Sequence, residues 1–168
     1  MRHDTLVLTR TLPAPPAAVY AAFAEDTIRR RRIRMPGSGA RYTHDFRVGG
    51  GENARASFTT LDSPTEQLEN QSHYLELVDD QRIVFAYRAV VDGVVRWASL
   101  VTVELGVADG GDDAVVASVD PPTSVSTRLT WTEQVALIVA SDGDGDVDLA
   151  HLRGGIQLRL NALTVAVR

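Results

Sequence analysis

The spacing of apolar residues changes once along the chain, and this change limits the fold more than any other feature. From Arg41 onward, apolar side chains recur at every second position, which is typical of strands with one buried face. Over residues 149–167 the spacing becomes three and four, the stripe of an amphipathic helix of about twenty residues. Strands and long helix are therefore segregated in the sequence, which predicts an α+β domain.

Local signals predict the remaining elements. Residues 5–12 form an apolar, β-branched strand, and the prolines at 15 and 16 suit the first turn of a helix that extends to residue 25. A second short helix or an irregular turn is expected over 26–34. Further strands are expected at 41–48, 54–58, 68–78, 82–91, 94–105 and 126–139, with hairpin turns at 79–80 and 92–93 and a variable loop at 110–124. A sheet of six or seven strands twists and curls, so we expect it to wrap around the long helix as one domain over residues 1–168.

The composition excludes several classes of chemistry. All 17 basic residues are Arg, and Lys and Cys are absent, which excludes Schiff-base lysines, catalytic thiols and thiolate zinc sites. A net charge of −5 makes the chain a poor ligand for nucleic acid. The longest apolar run, residues 135–140, is too short for a membrane span, and the first residues lack the apolar part of a secretory signal. We therefore expect a soluble protein of the bacterial cytoplasm with no cofactor and no nucleic-acid partner.

Five segments, in their order along the chain, resemble one protein family. They are "PAPPAAVYAAF" at 13–23, "YTHDFRVGGGE" at 42–52, "RIVFAY" at 82–87 with Asp92-Gly93, "LTWTEQ" at 129–134, and the pair Gly154-Gly155. Together they are similar to the heat-shock-protein-90 ATPase activator-homologue-like family of the START-like SRPBCC superfamily. The resemblance implies a helix-grip fold, in which a curved antiparallel sheet wraps around a long C-terminal helix and two short helices follow the first strand.

The resemblance also directs the functional expectation. Single-domain members resemble carriers and sensors of hydrophobic small molecules, and sister families include polyketide cyclases. We expect non-catalytic binding of a small hydrophobic or amphipathic molecule in a cavity between the sheet and the C-terminal helix. The alternatives are a polyketide-cyclase-like or hydrolase-like enzyme and a chaperone-type protein-interaction module; the chain is either a monomer or a homodimer.

Bulky aromatic residues keep one parity within each predicted strand. If these parities align, part of the shared face forms the wall of an apolar pocket, and a filled core is the alternative. Tyr20 or Phe23 is expected near the mouth. Gly154 and Gly155 either leave space for a ligand under the helix or permit close contact between helix and sheet. The strand aromatics are Tyr42, Phe46, Phe58, Tyr74, Phe85, Tyr87, Trp97 and Trp131.

Three polar residues are candidates for orienting a ligand or, in the enzyme alternative, for moving a proton. His44 shares its face with Phe46, and Glu133 shares its face with Trp131. A buried Glu beside a His could act as acid and base. The other interpretation is a structural pair, or two residues that never meet. Tyr87 is the third candidate for proton transfer.

The segment Arg29–Arg34 contains five Arg in six positions. It is interpreted either as a solvated helix face or as an anion-attracting segment near the cavity entrance, since guanidinium groups bind carboxylate and phosphate. The run Gly49–Gly51 is expected to form a tight turn with positive φ, because a phosphate cradle would have to precede a helix. Asp45 and Arg47 are expected to form a surface ion pair.

The acidic run 142–148 departs from a calcium-binding loop at two positions, because Val147 stands where the loop needs Gly and Arg153 where it needs Glu. Asp146 or Asp148 is therefore expected to cap the C-terminal helix. The four His residues lack the spacing of metal ligands, so no metal site is predicted.

Overall fold

The computed structural model of the chain describes residues 1–32, 38–59, 65–108, 125–141 and 143–168. Over these ranges the elements follow the predicted order. They are β1 (Arg2–Leu12), α1 (Pro16–Ala24), α2 (Asp26–Arg32), β2 (Ser38–Asp45), β3 (Gly51–Phe58), β4 (Glu66–Val78), β5 (Arg82–Val91), β6 (Val94–Val107), β7 (Thr127–Leu137) and α3 (Asp146–Ala166). The predictions for the 110–124 loop and for the Phe58 side chain fall outside the described residues.

The described strands form one antiparallel sheet in the order β1-β7-β6-β5-β4-β3-β2. Strands β2 to β7 follow one another as a meander, and β1 adds to the free side of β7, with Leu6 opposite Glu133. The sheet curves around α3, so the predicted α+β helix-grip architecture is confirmed. We call the side of the sheet that faces α3 its inner face.

The turns explain where the meander reverses. Asp80, Asp92 and Gly93 have φ values of 60°, 50° and 80°, a region that Asp tolerates and Gly adopts freely. Gly49 has φ +83°, and a Cβ on Gly51 would collide with the backbone carbonyl of Ser72 on the next strand. The predicted hairpin turns and the tight Gly turn are therefore confirmed.

The two short helices form as their sequences predict. Pro15 is the N-cap of α1 and Pro16 its first residue, positions where the missing N–H leaves no bond unmade. The predicted apolar face of Val19, Ala22 and Phe23 is buried.

The start of α3 differs from the prediction. The N-cap is Gly145, with φ 87°, and no side chain caps the helix, so the assignment of Asp146 or Asp148 as cap was wrong. The Asp148 carboxylate instead accepts hydrogen bonds from the Ser141 N–H and hydroxyl, at 2.8 and 2.5 Å. Asp146 pairs with Arg2 at 2.6 Å. Both carboxylates thus fix the helix start to neighbouring segments.

The stripe of α3 forms the centre of the core. Its buried apolar residues are Leu149, Leu152, Ile156, Leu160 and Leu163, as the spacing predicts. The strand predicted over 41–48 ends at Asp45 in the structure, and Val48, which lies beyond its end, is 57% exposed. In the described part of the chain, no helix is long and apolar enough to cross a membrane.

Candidate functional site

A chain of aromatic rings crosses the inner face of the sheet. Neighbouring centroids are 5.6 Å apart for Tyr20 and Phe46, 5.0 Å for Phe46 and Tyr74, 6.0 Å for Tyr74 and Phe85, and 5.8 Å for Phe85 and Trp131. All four contacts are edge-to-face, a favoured geometry for aromatic pairs. The predicted alignment of aromatic parities is confirmed for these rings.

The inner face divides into two halves that differ in burial. In the packed half, protein atoms cover every inner side chain; it comprises Tyr74, Ile83, Phe85, Val101, Val103, Leu129 and Trp131. In the open half, five side chains of the same inner parity remain partly exposed, although Ala54 and Ala89 between them are buried; the five are Tyr42, Glu52, Asn70, Ser72 and Trp97. Tyr87 and Ser99 form the border between the halves. A bound molecule would therefore reach the open half and the border before any of the packed aromatics.

Helix α1 carries Tyr20 and Phe23, the two residues of which one was expected near the mouth of the pocket. Phe23 of α1 is buried in the core and lies under the Arg29 guanidinium, whose carbon is 5.8 Å from the ring centre. Tyr20 is partly exposed beside Phe46. Burial raises the pKa of Tyr20 to about 12, and a hydrogen bond to Asp79 adds to the shift, so the hydroxyl keeps its proton at neutral pH.

An ion pair joins α2 to β3 within the open half. Arg29 is only 8% exposed, and its Nε atom lies 2.5 Å from the Glu52 carboxylate, which Nη2 also contacts. The Tyr42 hydroxyl donates to Glu52 and accepts from Arg29 Nε, both at 3.0 Å. Burial alone would raise the pKa of Glu52, but the Arg29 charge and these hydrogen bonds outweigh it, and the pKa is lowered. Glu52 is therefore held as a carboxylate.

This ion pair corrects part of the prediction for the basic run. A solvated helix face was one interpretation, yet Arg29, the first residue of the run, is buried and paired with Glu52. The reason is that α2 lies beside α1 and α3, and from there the Arg29 side chain reaches Tyr42 and Glu52 of the sheet. The side chains of residues 30–34 lie outside the described part of the chain.

A second cation, Arg159 of α3, lies at the border of the two halves. Its guanidinium carbon is 5.3 Å from the centre of the Tyr87 ring, and its Nη2 donates to the Tyr87 hydroxyl over a long 3.4 Å. The Tyr87 hydroxyl donates to Asn70 Oδ1 at 2.8 Å. Among the described residues, no carboxylate oxygen lies within 4.0 Å of Arg159. Burial raises the pKa of Tyr87 by more than the Arg159 charge lowers it, so this hydroxyl also keeps its proton.

His44 and Glu133 do not form the acid–base pair that the sequence left open. Four strands separate β2 from β7, which is about 24 Å along the sheet at a spacing of about 4.8 Å per strand. His44 Nε2 lies 3.0 Å from the Tyr74 hydroxyl, whereas Glu133 accepts a hydrogen bond from Trp131 Nε1 at 3.1 Å. His44 is therefore hydrogen-bonded to Tyr74 and Glu133 to Trp131, and the two do not contact each other.

Three buried polar atoms have no hydrogen-bond partner among the described residues. They are Trp97 Nε1, Ser99 Oγ and Glu133 Oε1. Buried polar groups in native proteins almost always find a partner in protein, water or ligand. Three of them on adjacent strands of one face mark a place where a further molecule would complete the bonding.

The two glycines of α3 have free space around them. A Cβ added to Gly154 or Gly155 would meet no heavy atom within 4 Å. Close contact between helix and sheet was one of the two interpretations of this pair, and the geometry contradicts it. Gly155 precedes Arg159 by four residues and so lies on the same flank of α3, facing the border of the open half. Gly154 is rotated about 100° from it, away from the buried stripe.

The sequence reasoning missed Glu52, Ser99 and Arg159 as site residues. Glu52 shares its parity with the buried Ala54 of β3, and Ser99 shares its parity with Trp97. Arg159 follows Ile156 by three residues and so adjoins the apolar stripe of α3. The signal in the sequence was a polar residue at a position where the periodic pattern predicts an apolar one.

The surface motifs form ordinary ion pairs. Asp45 and Arg47 are exposed and lie 2.8 Å apart, so their predicted surface pairing is confirmed. Within the acidic run, of which residue 142 is outside the described residues, the buried Asp148 carboxylate lies 3.6 Å from Arg96. Over the described ranges, no group of three or more His, Asp or Glu side chains could hold a metal ion.

Comparison with protein families and known proteins accounts for nearly the whole chain. The family model described as "Activator of Hsp90 ATPase homolog 1-like protein" matches residues 13–166. No protein with a curated description matches.

Several solved structures are similar over almost their full length. The Mll3558 protein from Rhizobium loti is 35% identical, with a TM-score of 0.66, and the match covers 98% of this chain and 97% of that one. A putative uncharacterized protein from Rhizobium leguminosarum is 28% identical, with a TM-score of 0.72 and coverage of 99% and 95%. The Aha1 dimer from Colwellia psychrerythraea, at 10% identity, TM-score 0.58 and coverage of 98% and 96%, shares the fold.

Proposed function

The chain belongs to the Activator of Hsp90 ATPase homolog 1-like family, whose fold is of the SRPBCC type, and from that premise we propose that it binds a small amphipathic molecule without covalent chemistry. The binding place is the open half of the inner face, together with the flank of α3 that carries Gly155 and Arg159. The observation that carries this proposal is that a Cβ on Gly155 would meet no heavy atom within 4 Å, on the flank of α3 where Arg159 contacts Tyr87 beside the partly exposed Asn70.

The lining of this place suits an amphipathic molecule. Tyr42, Trp97 and Tyr87 offer apolar rings, while Glu52 and Asn70 offer fixed polar atoms between them. Small-molecule sites typically combine an apolar lining with a few placed polar groups. The packed aromatics Tyr74, Phe85 and Trp131 form the solid floor beside it. Phe46, which is partly exposed next to the buried His44 side chain, continues the lining towards Tyr20.

The same geometry gives less support to catalysis. A proton-transfer mechanism needs an acid and a base within reach of one bound group. Four strands lie between those of His44 and Glu133. The Tyr87 hydroxyl is hydrogen-bonded to Asn70 and Arg159, and its pKa is raised by burial. Non-covalent binding needs none of these groups to change its protonation state.

The test fills the free space on one flank of α3 and, as a matched control, on the other. Gly155→Leu places a side chain into the proposed binding place, whereas Gly154→Leu adds the same side chain away from it. Binding of the neutral apolar dye Nile red is measured by fluorescence titration, with thermal unfolding as the check on folding. We expect Gly155→Leu to weaken dye binding at least tenfold, at about 1.4 kcal/mol per tenfold, and Gly154→Leu to leave it unchanged. Equal affinity in both variants, or no dye binding by the wild-type protein, would reject the proposal.

We also propose that the chain forms a homodimer. The Colwellia psychrerythraea protein of the same fold is described as a dimer. Here the outer face of the sheet carries a shallow depression of about 500 Å³ lined by Leu100 and Ala136, and Leu100 and Val7 are exposed beside it. Sedimentation velocity should give the mass of two chains, and Leu100→Arg should reduce it to that of one. A single-chain mass for the wild-type protein contradicts this proposal.

A further inference from the structure

The three unpartnered polar atoms are neighbours in the strand ladder. Trp97 and Ser99 are successive inner residues of β6, and Ser99 lies diagonally across from Glu133 of β7, because Val101 is the residue directly opposite Glu133. Such diagonal pairs are about 7–8 Å apart. On the other side Ser99 lies directly opposite Tyr87, the ring on which Arg159 rests. The three atoms and the Arg159 guanidinium therefore surround one small part of the inner face, at the border of the open half.

The hydrogen-bonding capacities of this group are complementary. Trp97 Nε1 and Arg159 can only donate, the Glu133 carboxylate can only accept, and the Ser99 hydroxyl can do either. A molecule that fits must therefore offer at least one acceptor and one donor. A purely apolar occupant would leave all of these buried groups unsatisfied, which is strongly unfavourable.

The charges restrict the occupant further. Arg159 carries a positive charge without a carboxylate within 4.0 Å among the described residues, and Glu133 is a carboxyl group that is 1% exposed. A bound anion would be attracted to Arg159 but repelled by a Glu133 carboxylate, and a bound cation would meet the reverse. An uncharged group with an acceptor on one side and a donor on the other satisfies both residues at once.

Resting on the proposed function, we propose that this cluster of Trp97, Ser99, Glu133 and Arg159 is a head-group subsite for an uncharged donor–acceptor group. A primary amide or a hydroxy ketone on an apolar body is the corresponding class of ligand. Its N–H or O–H donates to Glu133 Oε1, and its carbonyl oxygen accepts from Ser99, Trp97 or Arg159. The apolar body extends along the open half towards Tyr42.

The ligand reaches the subsite by displacing a weakly held side chain. The three unpartnered atoms are covered in the structure, so a neighbour has to move. Arg159 is held to Tyr87 by one long hydrogen bond of 3.4 Å and by stacking on the ring. It is therefore the side chain that can swing aside and then donate to the ligand.

The experiment compares three probes with one apolar chain and different heads: octanamide, octanoate and octylammonium. The chain contains two Trp residues, Trp97 and Trp131, and both belong to this region, so intrinsic fluorescence reports occupancy. At pH 7.5 we expect octanamide to bind at least about tenfold more tightly than either ion, since hydrogen bonds to charged groups are worth that much. Glu133→Gln should improve octanoate binding towards that of octanamide.

The controls separate a head-group effect from a folding effect. Glu76→Gln removes an exposed carboxylate of the outer surface and should leave the order of the three probes unchanged. If Glu133→Gln does not fold, Ser99→Ala removes one donor from the subsite and should weaken octanamide several-fold without lowering the melting temperature. Equal binding of the three probes, or tighter binding of an ion, overturns the inference. If Gly155→Leu still abolishes that equal binding, the proposed function stands and only the head-group assignment fails; if neither Nile red nor any octyl probe binds, both fail.

Discussion

The packed half and the open half of the inner face share β4 and β6 but bury their side chains differently. In the packed half, Val101, Val103 and Leu129 are almost fully buried against the stripe of α3. In the open half, Glu52 and Asn70 pair with polar side chains instead of packing against the helix, and Ser72 lies directly opposite Glu52. The comparison shows that the helix covers only part of the curved sheet, and that polar residues occupy the part it leaves.

The two halves also differ in how well their polar groups are satisfied. Arg29 and Glu52 form a direct ion pair with Tyr42 as a shared partner. Arg159 and Glu133, by contrast, remain without a charged partner within 4.0 Å among the described residues. Natural proteins keep buried polar groups without hydrogen-bond partners mainly at functional sites, because elsewhere such groups lower the stability of the fold and serve no function. This incomplete bonding is the observation that favours the proposed ligand site at the border of the halves.

The largest effect is expected from a cavity in the packed half. Ile156→Ala removes a side chain that is 1% exposed and should lower the free energy of unfolding by about 2–5 kcal/mol. Leu158→Ala on the same helix is the matched control, because Leu158 is 70% exposed and its loss should change stability by about 0.5 kcal/mol or less. Urea unfolding measures both, and equal losses would show that α3 is not packed as described.

A smaller effect, with a distinct pH dependence, is expected in the open half. Glu52→Gln leaves the Arg29 charge without its carboxylate, which should cost about 1–3 kcal/mol at pH 7. The pKa of Glu52 is lower in the folded protein than in the unfolded chain. The ionised Glu52 therefore stabilises the fold fully at pH values above its unfolded pKa of about 4.3. This stabilisation is lost as the pH falls through the pKa of the folded state. The stabilities of wild-type protein and Glu52→Gln should therefore converge on acidification.

The control for this prediction is a carboxylate in an exposed pair. Glu76 bonds Arg82 on the outer surface, so Glu76→Gln should change stability much less than Glu52→Gln at neutral pH. Urea unfolding at a series of pH values between 7 and 3 provides the comparison. A constant difference between wild-type protein and Glu52→Gln across this range would contradict the assigned role of the Arg29–Glu52 pair.

The sequence predicted the fold well because the fold depends on local patterns. The alternation of apolar and polar residues predicted the strands, the apolar stripe at 149–167 predicted α3, and Asp92-Gly93 predicted a hairpin turn. The prediction of the α3 cap was wrong because residues from other segments compete for the two carboxylates. Ser141 donates to Asp148, and Arg2 forms an ion pair with Asp146. The spacing of residues along the chain does not show which distant residues will compete for a carboxylate.

The site was harder to predict because its residues come from distant segments. Arg29 and Glu52 belong to separate elements and meet only in the folded chain, so the basic run gave no sign that its first member is buried. Whether His44 meets Glu133 depends on the order of the strands in the sheet. That order places β2 at one edge and β7 next to β1 at the other edge, so the two residues are far apart. Parity assigned each residue to a face but gave no distance along that face.

The smallest effect tests the free space itself. Gly155→Ala and Gly154→Ala should each raise the free energy of unfolding by up to about 1 kcal/mol, because Ala favours the helix over Gly and a Cβ meets no heavy atom at either position. Urea unfolding would measure the gains, and Nile red titration would separate the two flanks, since only the Gly155 methyl enters the proposed binding place and should weaken the dye. A loss of stability in Gly155→Ala would mean that α3 closes onto the sheet at this point. The open half would then be covered in solution, and the contrast with the packed half would disappear.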